Sequence, residues 1–153
     1  MKYFELIEKQ YIDKTIDEVF NFFSKPENLE VITPKYLKFS IKTPLPITME
    51  EGQVIEYKIR LRGIPMKWKS RISSYNPPHS FIDEQIKGPY SYWHHTHIFK
   101  VNGNGTDIID HVKYNLPFGL IGVFANYFFV NKDLKKIFKY RKSTINEIFS
   151  DKI

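Results

Sequence analysis

The chain of 153 residues contains no cysteine. That excludes disulfides, thiolate nucleophiles and every cysteine-based zinc site. No apolar run approaches the ~20 residues a helix needs to span a bilayer. The opening MKYFELIEKQYIDK spreads charges through its apolar positions, so it lacks both the uninterrupted core of a signal peptide and the character of a transit peptide. A soluble, cytoplasmic protein is the expectation. Nucleophilic serine motifs and paired-carboxylate signatures are missing too. A phosphate-cradling glycine loop is also absent: Asn102-Gly103-Asn104-Gly105 is followed by no helix, so it is not a dinucleotide fingerprint.

Aromatic side chains are abundant instead. Thirteen Phe, ten Tyr and two Trp bring the aromatic share to 16%, and rings in that number need a dense core or a cavity to line. The net charge is +6, which raises the question of nucleic acid. The basic residues scatter along strands, however, and thicken only at Lys132, Lys135, Lys136, Lys139, Arg141 and Lys142. No nucleic-acid-binding motif accompanies them. They read as the solvated face of a helix, and no nucleic-acid partner is expected.

The order of elements is that of an α+β domain spanning 1–153. Tyr3 to Ile12 alternates as a strand. Thr15 and Glu18 form a capping box for a helix carrying Val19, Phe20, Phe22 and Phe23. Ser24 is expected to cap a second short helix that closes at Thr33-Pro34. A short strand at Leu37–Thr43 follows. Val54–Arg62 and Met66–Tyr75 alternate cleanly about Gly63, and further strands are expected at about 80–87, 91–101 and 106–116. After Pro117 one long helix runs from Leu120 to about Phe149, apolar nearly all round in its first half and basic in its second. The outer side of Leu120–Val130 needs a cover. The expectation is a subunit or the loop around Pro44–Glu50, with an anionic membrane surface as the alternative. The chain is read as a monomer or homodimer.

The strand period gathers polar groups on one face. Asp83 and Gln85 share a face, as do Trp93, His95, His97 and Phe99, and as do Asp110, Val112 and Tyr114. Polar and aromatic groups interleaved in this way suit a pocket that orients a mostly apolar ligand. His95 and His97 stand ~7 Å apart along the strand. With Asp83 or Asp110 they can form a polar patch under a ligand, or a general acid/base pair in which His95 is the base, Asp110 orients it and Tyr114 polarises a carbonyl. Two histidines and a carboxylate are also a familiar metal set. The mixed register at His94 weighs against it, and neither a metal nor a cofactor is assigned. Burial of an unpaired carboxylate is costly, so Asp110 is expected within hydrogen-bonding reach of His95 or His97.

PENLEVITP (Pro26–Pro34), FIDEQIKGPYSYWHHTHIF (Phe81–Phe99) and TDIIDHVKYNLPFG (Thr106–Gly119) carry a likeness to a known family. Together with the element order, they make the chain resemble the START-like (SRPBCC) superfamily of polyketide cyclases, lipid-transfer domains and Bet v 1-like plant proteins. It resembles most its bacterial ligand-binding members, some of them labelled cell-division inhibitors. The resemblance covers essentially the whole chain. It implies a helix-grip fold: a curved antiparallel sheet gripping the long C-terminal helix, with two short helices after the first strand. It also implies a cavity between helix and sheet for a small hydrophobic or amphipathic molecule. Trp68, Phe81, Trp93, Phe99 and the first half of the last helix, including Phe124, Tyr127 and Phe128, are the expected walls. Asp83, Gln85, His95, His97, Asp110 and Tyr114 are the expected polar contacts. Cyclase or dehydrase chemistry, or lipid delivery at a membrane, are the activities the superfamily offers besides simple binding.

Overall fold

Every second residue from Thr106 to Tyr114 is buried, with Ile108, Asp110 and Val112 between them; that is a strand with one face inward. The computed structural model describes residues 3–150 and arranges seven strands: β1 (Phe4–Ile12), β2 (Ser40–Ile41), β3 (Val54–Leu61), β4 (Ile64–Asn76), β5 (Ser80–Lys87), β6 (Tyr92–Asn102) and β7 (Gly105–Asn115). They form one antiparallel sheet in the order β1-β7-β6-β5-β4-β3-β2. The ends of the expected 1–153 span, Met1, Lys2 and 151–153, lie outside the described residues. Arg62 and Gly63, with φ of 51° and 80°, make the tight β3–β4 turn. Register shifts at Lys69/Ser70 and Ile72/Ser74 kink β4, and such kinks bend a sheet into a concave surface.

Helices α1 (Ile16–Phe23) and α2 (Asn28–Val31) fill the connection from β1 to β2. Thr15 Oγ1 accepts from the Glu18 amide at 3.3 Å, as a cap should. Ser24 does not cap α2. Its amide bonds to Phe20 O at 2.9 Å and its hydroxyl to Asn21 O at 3.0 Å, so it is consumed in closing α1. The strand expected over Leu37–Thr43 shrinks to two residues, because Lys35–Leu37 takes a 3-10 turn that ends at Lys38 with φ 48°.

The C-terminal helix is continuous but not uniform. It comprises α3 (Gly119–Ala125), a π turn (Asn126–Val130) and α4 (Asn131–Phe149). The face of α4 formed by Leu134, Phe138, Arg141 and Ile145 is buried, and Gln10 of β1 clasps the helix through Lys142 O (2.7 Å) and Asn146 Oδ1 (2.8 Å). Gly122 presses on the Pro117 carbonyl, where any Cβ would collide. Among the described residues no helix is long and apolar enough to cross a membrane.

The apolar interior is divided. One cluster joins Ile12, Phe20, Phe23, Phe81, Phe99 and Ile108; the other joins Leu6, Val112, Tyr114, Leu134 and Phe138. Along β6 and β7 the residues between these clusters are His95, His97 and Asp110.

Candidate functional site

Asp83 lies opposite His95, and His97 opposite Asp110, in the β5–β6–β7 register. The hydrogen bonds run on the diagonals instead. His97 Nε2–H donates to Asp83 Oδ2 at 2.6 Å, and His95 Nε2–H donates to Asp110 Oδ1 at 2.8 Å. An ionised carboxylate only accepts, which fixes the imidazole as donor in both pairs. The two rings stack with centroids 3.7 Å apart, and Phe81 covers the other face of His97 at 4.1 Å. Arg141, reaching down from α4, adds a bond from Nη2 to Asp110 Oδ1 at 3.2 Å. Among the described residues, His97 Nδ1 and Arg141 Nε are buried without a hydrogen-bond partner.

Two carboxylates therefore face one guanidinium and two stacked imidazoles in a largely buried layer. Burial opposes ionisation of Asp110. The Arg141 charge and the His95 hydrogen bond outweigh it and hold the carboxyl below its usual range. Burial likewise opposes ionisation of Asp83, which its His97 bond and the neighbouring cationic groups overcome. His97 itself is pushed down to about 4, by burial first and then by charge on the His95 ring stacked upon it. The oxygens and nitrogens of Asp83, His95 and His97 converge within 4.8 Å, which is compact enough for a cation.

The layer forms one edge of a cavity of about 170 Å³ between the sheet and α4, many times the ~10–15 Å³ that one water needs. Ile55, Tyr57, Ile59, Trp68 and Ile72 supply the floor, Tyr90 and Trp93 one wall, and Leu134, Ile137, Phe138 and Arg141 the roof. Trp68 and Trp93 meet edge-to-face at 5.2 Å, and the Trp68 indole donates to Ser70 Oγ at 3.0 Å.

No family model and no curated protein matches the sequence. Solved structures do match in shape. Major latex-like protein 151 from Panax ginseng superposes with a TM-score of 0.70 at 13% identity, covering 97% of this chain and 99% of its own. Protein Ms6760 from Mycobacterium smegmatis gives 0.67 at 13% identity, over 94% and 89%. A protein from Thermus thermophilus gives 0.64 at 16% identity, over 95% and 99%. The chain has the helix-grip fold.

Within the helix-grip cavity, Trp68, Phe81, Asp83, Trp93, His95 and His97 all line the space. The other expected contacts sit elsewhere. Phe99 is packed in the core against Phe20 and Phe23. Gln85 is turned to the β5–β6 connection, where it donates to Tyr90 O (2.7 Å) and accepts from Tyr90 N (3.1 Å); it holds a wall without forming one. Asp110 stands behind His95, outside the lining. Phe124, Tyr127 and Phe128 are exposed on the outer side of the helix, because the roof begins only at Leu134. The loop around Pro44–Glu50 does not cover them.

Tyr114 is also outside the lining. Its hydroxyl donates to Asn126 Oδ1 at 2.6 Å, at the start of the π turn. Tyr114→Phe is accordingly expected to lower stability by about 1–3 kcal/mol, the cost of leaving a buried amide oxygen unpaired, and to leave uptake of an apolar dye by the cavity unchanged. Urea denaturation alongside a binding titration checks both halves.

Arg141 escaped the sequence reading, which placed it in the basic solvated run. A signal was present: position 141 falls on the stripe of Leu134, Phe138 and Ile145, where a helix of 3.6-residue period buries its side chains.

Proposed function

We propose that the chain, as one domain over 1–153, binds a small hydrophobic or amphipathic molecule between the sheet and α4. The observation that carries this reading is the cavity itself: apolar over most of its wall, with Asp83, His95, His97 and Arg141 gathered along one edge. Apolar walls supply affinity, and the few polar groups orient the ligand. Trp68, Phe81 and Trp93 take its apolar body and the Asp83–His97–His95 edge its polar end. The fold alone does not separate a binder from an enzyme. Cyclase-type chemistry would need His95 as a base beside Tyr114. Both His95 nitrogens already face carboxylates, at 2.8 Å (Asp110) and 3.7 Å (Asp83), and Tyr114 is bonded to Asn126, away from the lining. Binding is the better fit to that arrangement.

The test is mass spectrometry of small molecules retained through native purification, with Ile59→Phe as a cavity-filling variant. Ile59 is a buried part of the floor. The variant is expected to stay folded and to lose at least about tenfold in affinity for the retained molecule or for an environment-sensitive apolar dye, because the added ring occupies the ligand's space. Unchanged binding in folded Ile59→Phe would place the ligand somewhere else.

A further inference from the structure

The segment Phe118–Phe129 presents its large side chains outward. Phe118 is 79% exposed, Leu120 82%, Ile121 72%, Phe124 66% and Tyr127 73%, with Phe128 and Phe129 about half exposed. Single exposed apolar residues are ordinary, but a contiguous group of this size marks a surface that meets something apolar. The inner side of the same segment is anchored. Gly122 and Asn126 are buried, and Val130 packs on the Leu6–Tyr114 cluster. The exposed groups are therefore held on a fixed helix. Phe118 is held in left-handed backbone, φ 71°, a conformation that non-glycine residues seldom adopt.

The charges around the segment select the occupant. From His111 to Asn146 the chain contains a single acidic residue, Asp133. That one is taken by Arg62, whose Nε and Nη2 both lie 3.0 Å from its carboxylate oxygens, while the guanidinium also covers the Phe129 ring at 4.7 Å. Spacings of three and four residues carry the outward stripe from Phe124 and Phe128 on to Lys132, Lys135 and Lys139, all exposed. An exposed apolar segment followed at once by a run of lysines combines apolar insertion with electrostatic attraction, the two contributions that hold a helix at an anionic lipid surface. Twelve helical residues reach only ~18 Å, so the segment can lie in the interface and cannot cross it.

We propose that the protein docks reversibly on an anionic lipid surface, with α3 and the π turn inserted among the headgroups and Lys132, Lys135 and Lys139 set against the lipid phosphates. Docking would place Leu134, the residue with which the cavity roof begins, one turn beyond the inserted segment.

Co-sedimentation of the full chain with phosphatidylserine-containing vesicles and with neutral phosphatidylcholine vesicles tests this. Binding is expected to favour the anionic vesicles and to weaken by about tenfold or more between roughly 0.1 and 0.5 M salt, as screening removes the lysine contribution. Phe128→Asp, and separately Lys135→Glu/Lys139→Glu, should each reduce binding by about tenfold or more. All three sites are exposed, so circular dichroism and melting should match the parent protein. The proposal is overturned if folded Phe128→Asp sediments like the parent, or if anionic and neutral vesicles are bound alike. It is equally overturned if no vesicle is bound and sedimentation velocity instead finds a dimer that Phe128→Asp dissociates.

Discussion

Arg141→Met is expected to lower the unfolding free energy at neutral pH by about 3–5 kcal/mol, the usual penalty for stranding one partner of a buried ion pair. Methionine keeps most of the volume of the arginine stem, so the loss is electrostatic and does not come from a void. Asp110 would be left in the interior with only the His95 bond to hold its charge. Adding Asp110→Asn to Arg141→Met removes that stranded charge and should recover a large part of the loss. Urea denaturation of the parent, both single variants and the double variant completes the cycle. If Arg141→Met costs less than about 1 kcal/mol, the pair behaves like a surface salt bridge and the buried layer does not work as described.

The second large effect is acid lability. His97 is held near 4 in the folded protein, against an ordinary ~6.5. Between those values the unfolded chain binds a proton that the folded chain does not, so stability rises with pH across that window. The contribution is complete above pH ~6.5 and fades as the pH falls through the folded value, amounting to about 3 kcal/mol in all. Asp83 and Asp110, both shifted downward, act in the same direction at lower pH still. Stability measured at about pH 7, 5.5 and 4.5 should fall steadily, and His97→Asn should flatten the slope even if it lowers the whole curve. Equal stability at the two ends of that range would contradict the burial of His97.

Much of this architecture is written in period-two and period-3.6 patterns. β3 to β7 are legible because their alternation is regular and their turns carry glycine or proline. The diagonal Asp–His pairing is legible in part. Alternation puts the four side chains on one face, and the cost of an unpaired carboxylate demands the 2.8 Å contact found between Asp110 and His95. Alternation cannot say how far along that face the last helix reaches. Trp93 and Phe99 share a face, yet one lines the cavity and the other is sealed in the core, because α1 packs over Phe99 through Phe20 and Phe23. Tyr114, Phe124, Tyr127 and Phe128, expected as contacts, fall outside the lining for a related reason: hydrophobicity announces burial or contact without saying with what. Arg141 escaped because its charge, rather than its position on the helix, decided how it was read.

The layer of Asp83, His95, His97, Asp110 and Arg141 also bears on what this chain has been selected for. It lies where two apolar clusters would otherwise join, and replacing a buried ionic set by packed apolar side chains of similar volume is often neutral or stabilising by about 1–4 kcal/mol. A sequence under pressure only to fold would lose little by carrying packed apolar side chains at those five positions. On the binding function proposed above, ionisable groups kept there trade stability for that use at the edge of the cavity. A design that swaps the layer for an apolar core, melts higher and no longer retains the small molecule that the proposed function expects would make that trade directly measurable.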